Sequence, residues 1–181
     1  MWTFLIALLI SLPQHYVIEK DEDMFTIERN YYLASTPKDV VAERAKKWQR
    51  ETSKDFSNSH EWFLYDNYEA RPCMFYFTSV PLMANGKYYS VDYNFLIVVY
   101  PQDNMYTVKL QRLEVSAYKG RRCVLSVQHI PIIEEEYNKG DYAFKRHHKE
   151  KVAVSQEMKK IAAADFESLL PSIREYMSGK R

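Results

Sequence analysis

Apolar residues recur along this chain with two different periods, and the changeovers between them divide it into elements. Within Met24–Leu33, Phe25, Ile27 and Leu33 stand among polar neighbours in the manner of a first strand. Val41, Ala45 and Trp48 then follow at helical spacing, while Lys38, Arg44, Lys46, Lys47 and Arg50 fall mostly off that stripe. The pattern predicts a one-sided helix ending near Thr52. Its start is marked by Thr36-Pro37-Lys38-Asp39, in which a threonine hydroxyl can cap an orphan N–H and proline suits the first helical position.

From Glu61 to about Ile130 the period becomes two. Trp62, Leu64 and Tyr68 predict a second strand and Met74–Val80 a third, with Pro81–Lys87, containing Asn85-Gly86, as the turn after it. Tyr89, Val91, Tyr93, Phe95, Ile97 and Val99 alternate strictly with Ser90, Asp92 and Asn94 before Pro101–Asn104 reverses the chain. The return strand places Tyr106, Val108 and Leu110 on one face, then Leu113, Val115 and Ala117. That one-residue slip near Gln111 and Arg112 predicts a β-bulge or a change of face. Tyr118–Arg121 turns again, and Cys123–Ile130 can supply a fifth meander strand.

Pro131–Lys151 is charged and aperiodic, and reads as a long loop. Helical spacing returns in Val154, Met158, Ile161, Ala162, Phe166, Leu169, Leu170, Ile173 and Tyr176, with Pro171 expected to kink or restart the helix. The order strand, helix, antiparallel meander of four to five strands, C-terminal helix is that of an α+β layer protein. Both helices pack on one sheet face and the other face stays partly open.

The first twelve residues are uncharged and mostly apolar, and Pro13 follows. This run is shorter than the about 20 residues a membrane span needs and has the length of a signal-peptide core, although no Lys or Arg precedes it and no small-x-small cleavage site is evident. A buried N-terminal strand is the alternative. The expected organisation is a signal peptide at 1–14, a polar lead-in at 15–23, and one domain at 24–178 with a loop insertion at 131–151.

Composition narrows the chemistry. Only 4 of 181 residues are glycine, each isolated, against about 7% in average proteins. This excludes glycine-rich phosphate loops and the G-x-S-x-G nucleophile elbow, which need clustered glycines. The formal net charge of +1 argues against a surface built for nucleic acid. Two cysteines without a CxxC pair exclude a conventional zinc finger. In an oxidising compartment Cys73 and Cys123 are a candidate disulfide; two buried thiols are the alternative.

Remaining constellations are weak. His147-His148 could ligate a cation, but Lys145, Arg146, Lys149 and Lys151 would repel one, so no metal site is expected. Cys73 or Cys123 with His129 could form a thiol nucleophile, yet each lies in a predicted strand where a structural thiol fits better. Glu134–Glu136 sit in a polar run with nothing apolar to raise a carboxyl pKa. Lys119, Arg121 and Arg122, joined by Lys145, Arg146, His147 and His148, are a candidate basic contact patch; two separate solvated turns are the alternative. Aromatic residues make up 15% of the chain. Tyr88, Tyr89, Tyr93, Tyr100, Tyr106 and Tyr118 lie on or beside meander strands, where tyrosine suits cross-strand packing as well as a half-wet contact face.

Three stretches carry a family resemblance: Phe25–Leu33, the run from Thr36-Pro-Lys-Asp to Arg44-Ala-Lys-Lys-Trp48, and the meander Tyr89–Leu113 with the helix from about Gln156 to Met177. Together they resemble a small exported bacterial domain of unknown function with a TATA-binding-protein-like (TBP-like) fold, in the manner of a helix-grip arrangement. The resemblance implies a signal peptide, this element order and a tryptophan late in the first helix. It implies no activity, cofactor or catalytic residue. Glu69-Ala70-Arg71-Pro72 occupies a hairpin where that family usually carries glycines, and Lys119–Lys151 has the look of an insertion.

The expectation from sequence is therefore an exported, non-enzymatic binding or structural module of the periplasm or cell envelope, without cofactor. Its partner would be a protein or envelope component, and nucleic acid is not expected. The competing readings are an envelope hydrolase or accessory subunit with an unrecognised site, and nucleic-acid binding through the basic turns.

Overall fold

A computed structural model describes the backbone of residues 24–55, 59–66, 69–127, 130 and 148–181, and the side chains at 24–52, 71–127, 130 and 148–181. The expected signal peptide 1–14, the lead-in 15–23 and most of the expected loop, 131–147, lie outside the described residues. The elements are β1 (Ile27–Tyr32), α1 (Lys38–Asp55), β2 (Ser59–Asp66), β3 (Glu69–Ala84), β4 (Lys87–Gln102), β5 (Met105–Lys119), β6 (Arg122–Val127) and α2 (His148–Met177). The strands form one antiparallel sheet in the order β1-β5-β4-β3-β2, and β6 pairs with the far half of β5. The chain is α+β, as its pattern predicts.

The strict alternation in β4 sends Tyr89, Val91, Tyr93, Phe95, Ile97 and Val99 toward the helices, and all six are buried. Val41, Ala45 and Trp48 of α1 and Val154, Met158, Ala162, Phe166, Ile173 and Tyr176 of α2 close this core from above. Both helices therefore lie on one sheet face. They also touch each other: Arg44 Nη1 donates to the Met177 carbonyl at 2.7 Å, and the Tyr176 hydroxyl donates to Glu51 Oε2 at 2.6 Å.

The phase slip in β5 is a bulge. Asn94 pairs with Glu114 but Leu96 with Gln111, so Arg112 and Leu113 together oppose Phe95. Arg112 takes a positive φ of 56°, the left-handed conformation that lets one extra residue leave the ladder. The insertion returns Leu113, Val115 and Ala117 to the helix face, where all three are buried. On the same side of β5, the Ile130 N–H donates to the Leu113 carbonyl at 2.9 Å and the Phe25 N–H to the Ile130 carbonyl at 2.8 Å. These bonds fill the ladder between β1 and β6.

Four expectations need correction. Pro81 is inside β3, opposite Ser90, and the turn shrinks to Asn85-Gly86. A proline fits there because β2 pairs only with Glu69–Tyr76, so that among the described residues the far edge of β3 has no strand beside it for an N–H to serve. Thr36 does not cap α1 through its hydroxyl, which donates instead to the Ala34 carbonyl at 3.1 Å. Pro171 does not restart the helix: α2 runs through it, its ring on the exposed side, although it supplies no N–H to the ladder. Finally, His148–Lys151 belong to the first turn of α2 rather than to the loop expected at 131–151.

Candidate functional site

The sheet face opposite the helices is built by the residues that alternate with the core. On β3 these are Cys73, Phe75, Phe77, Ser79, Pro81 and Met83, and on β4 Tyr88, Ser90, Asp92, Asn94, Leu96, Val98 and Tyr100. They sort into three zones. At one end Cys73, Leu96 and Val98 form a small second core against Phe75 and Tyr100. The Arg71 guanidinium and the Lys109 ammonium lie 4.6 and 5.3 Å from the centre of the Tyr100 ring, so two cations close over an aromatic surface. A polar belt follows, in which Ser79 Oγ donates to Asp92 Oδ1 at 2.6 Å and Asn94 Nδ2 to Glu114 Oε2 at 3.2 Å.

At the hairpin end the face is apolar again and bare. Met83 and Tyr88 are direct cross-strand partners, 55% and 70% exposed; Phe77, 43% exposed, lies opposite Asn94 on the other side of the Ser79–Asp92 pair. Beside this patch the outer edge of β3 from Phe77 onward pairs with no strand among the described residues. Large exposed apolar side chains grouped on one face, next to an open strand edge, are the usual marks of a contact surface.

The tyrosines divide by strand parity. Tyr89, Tyr93 and Tyr106 point into the helix–sheet interface and are structural, whereas Tyr88 and Tyr100 face away. Tyr76, Tyr93 and Phe95 make a ring cluster under α2, and the Tyr93 hydroxyl donates to Asp165. Burial, reinforced by that carboxylate, raises the Tyr93 hydroxyl well above the ordinary phenol value.

Only part of the expected basic patch can be placed. Lys145, Arg146 and His147 lie outside the described residues. Lys119, Arg121 and Arg122 occupy the β5–β6 turn, and His148 opens α2. Of these, Arg122 reaches a carboxylate: Glu150 accepts hydrogen bonds from the Tyr89 hydroxyl at 2.8 Å and Arg122 Nη2 at 3.1 Å, with Lys87 Nζ at 3.7 Å. Its pKa is lowered, first by the Tyr89 hydrogen bond and then by Lys87, Arg122 and Lys119 against the opposing effect of burial. Part of the turn's positive charge is thus spent on anchoring α2, which is a structural task.

Cys73 and Cys123 are free thiols, the first buried and the second exposed. Cys73 pairs with Val98 and Cys123 with Tyr118, and the Tyr118 row continues through Ser90 to Pro81. The two cysteines are therefore three strands and eight residues apart in the sheet. That is well over 20 Å at the usual strand spacing and rise, against the roughly 7 Å limit for a disulfide. The candidate bridge is ruled out by register, which the spacing of the two residues in sequence does not reveal.

Among the described residues no group of three or more His, Cys, Asp or Glu side chains is arranged to hold a metal ion. None of their helices is long and apolar enough to cross a membrane.

No family model matches the chain, and no curated protein is similar to it in sequence. Two solved structures are similar to it in backbone, and the first shares its architecture. A DUF4468 family protein from Bacteroides ovatus superposes with a TM-score of 0.54 at 11% identity, covering 86% of this chain and 89% of that one. A TBP-like protein from Parabacteroides distasonis gives 0.46 at 14% identity, over 86% and 96%. The first likeness establishes the fold and nothing about activity. The α+β fold expected from the sequence thus agrees with that of a domain of unknown function.

Proposed function

We propose that this protein is an exported, non-enzymatic binding module of the periplasm or cell envelope, and that its contact surface is the hairpin end of the open sheet face. The observation that supports this most directly is the exposure of Met83 and Tyr88, cross-strand partners on one side of the sheet, beside the part of the β3 edge that pairs with no strand among the described residues. The Met83 and Tyr88 patch, bordered by Ser90, Ser79 and Asp92, has the make-up of a protein contact, apolar at the centre and polar at the rim. The apolar leader at residues 1–14 supports export.

The reading is tested in the cell. A photo-crosslinking amino acid at position 83 or 88 is expected to trap one discrete partner, while the same probe at the exposed helix position Lys160 traps none. The Met83→Ser/Tyr88→Ser double variant is expected to lose that partner. Equal crosslinking at all positions would overturn the assigned surface. N-terminal sequencing of protein from the envelope fraction is expected to find residues 1–14 removed; an intact Met1 on cytoplasmic protein would refute export.

A further inference from the structure

We infer that a cavity between β1, β5 and the C-terminal turns of α2 is a binding site for a small organic carboxylate. It lies on the helix side of the sheet, and its argument is independent of the contact surface proposed above. The cavity measures about 380 Å³ and is lined by Tyr31, Leu33, Tyr106, Pro171, Arg174 and Lys180, with Ser178 and Glu175 also on its wall. That volume falls within the range of roughly 300–1,000 Å³ typical of small-molecule sites, near its lower end.

The wall is assembled by register. Tyr31 on β1 and Tyr106 on β5 are direct partners, and their rings stack with centroids 5.0 Å apart and planes inclined by 22°. The Arg174 guanidinium sits over the Tyr31 ring, its carbon 5.6 Å from the ring centre. A planar cation held over an aromatic face has lost much of the rotamer freedom it would otherwise give up on binding. Arg174 makes no ion pair among the described residues, so its forked donors have no carboxylate of the protein's own.

Charge selects the ligand. Arg174 and Lys180 are the two cations of the cavity, and Glu175 is its one anion. Glu175 has its own partner, with Arg181 Nε 3.6 Å from its Oε2. One guanidinium and one ammonium favour an anion, and the nearby Glu175 carboxylate disfavours a dianion such as phosphate. A carboxylate fits the guanidinium fork with two parallel hydrogen bonds. Leu33, Pro171 and the tyrosine rings offer an apolar surface to the body of such a molecule, while Ser178 supplies a polar contact. Neither Tyr31 nor Tyr106 donates a hydrogen bond from its hydroxyl among the described residues. Burial raises both hydroxyls above the ordinary phenol value, which keeps them neutral donors.

The test uses the purified protein and four probes: benzoate and galacturonate as carboxylates with an aromatic or a sugar body, and benzyl alcohol and galactose as their uncharged counterparts. Amide NMR titration is expected to show saturable shifts clustered at Tyr31, Leu33, Tyr106 and Arg174 for at least one carboxylate and for neither neutral probe. Which carboxylate binds identifies the body the cavity prefers. Arg174→Gln is expected to weaken binding by roughly tenfold or more, the effect of losing a charge-assisted contact, and Arg174→Lys to retain part of it. The amide spectrum of each variant reports whether the fold is intact. Equal binding of a neutral probe, tighter binding of inorganic phosphate, unchanged affinity in folded Arg174→Gln, or no saturable shift with either carboxylate would each overturn the assignment.

Discussion

Asp103 Oδ1 accepts the backbone N–H of Lys38 at 2.8 Å, so a side chain from the β4–β5 turn caps a helix 65 residues earlier in the chain. The neighbouring Asn104 reinforces the joint. Its Oδ1 accepts the Thr36 N–H at 2.9 Å, its own N–H donates to the Thr36 carbonyl at 2.8 Å, and its carbonyl accepts the Leu33 N–H at 2.8 Å. The first strand, the first helix and the central hairpin are thereby locked at one point. Replacing Asp103 with Ala is expected to cost about 1 kcal/mol, the usual value of a helix cap, and to appear as a lower denaturant midpoint without a change of slope. An unaltered midpoint would show that water replaces the cap at no cost.

The bulge at Arg112 separates backbone strain from register. Arg112→Gly keeps the extra residue and relieves a positive φ in a side-chain-bearing position, so stability is expected to hold or rise by about 0.5–1 kcal/mol. Deleting Arg112 should do the opposite. A one-residue slip would turn Leu113, Val115 and Ala117 from the core to the outer face, and cooperative unfolding by calorimetry should be lost. A deletion variant that melts cooperatively would contradict the role given to the bulge.

Stability is expected to fall at both ends of the pH scale through one hydrogen bond. Tyr89 is pushed up to about 12 by burial and then by its bond to Glu150. A tyrosine raised in the folded state stabilises fully below its unfolded value, ordinarily 10.0, and loses that contribution as pH climbs toward 12. Glu150 is lowered below its ordinary 4.5, so its contribution is present above that value and lost as pH falls through the lowered one. Denaturant melts across pH should therefore show a Tyr89→Phe variant less sensitive than the parent in the alkaline window. Parallel curves for the two proteins would disprove the linkage.

Thiol labelling checks the sheet register. Cys123 is exposed and should react with an alkylating reagent in the native protein, whereas Cys73, inside the second small core, should react only after denaturation. Mass spectrometry of the two states should count one label and then two. A denatured, unreduced protein that takes up no label would indicate a bridge and an incorrect register.

Tyr93 offers a packing test under α2. Tyr93→Phe keeps the ring cluster with Tyr76 and Phe95 but removes one of the two tyrosine hydroxyls that serve the half-buried Asp165, at an expected cost of about 0.5–1.5 kcal/mol. Chemical denaturation reads this directly, and a variant as stable as the parent would mean that water serves Asp165 equally well.

Much of this architecture is legible in residue order because its signals are local. Strict alternation from Tyr89 to Val99, helical spacing from Val154 to Tyr176, and the phase slip at Arg112 each state which side chains must share a face. Burial then follows from the hydrophobic effect alone. These patterns determine the α+β class, the two one-sided helices and the bulge. Whatever depends on which elements become neighbours stayed out of reach. Pro81 fits within β3 because, among the described residues, no strand pairs with that part of its edge. Asp103 becomes a helix cap only once the hairpin lies against α1, and the Arg122 charge is countered only once α2 brings Glu150 beside it. The exposed Met83 and Tyr88 patch and the cavity between Tyr31, Tyr106 and Arg174 arise in the same way. Hydrogen bonds and ion pairs act over a few ångströms, and only the tertiary structure makes residues distant in the chain neighbours at that range.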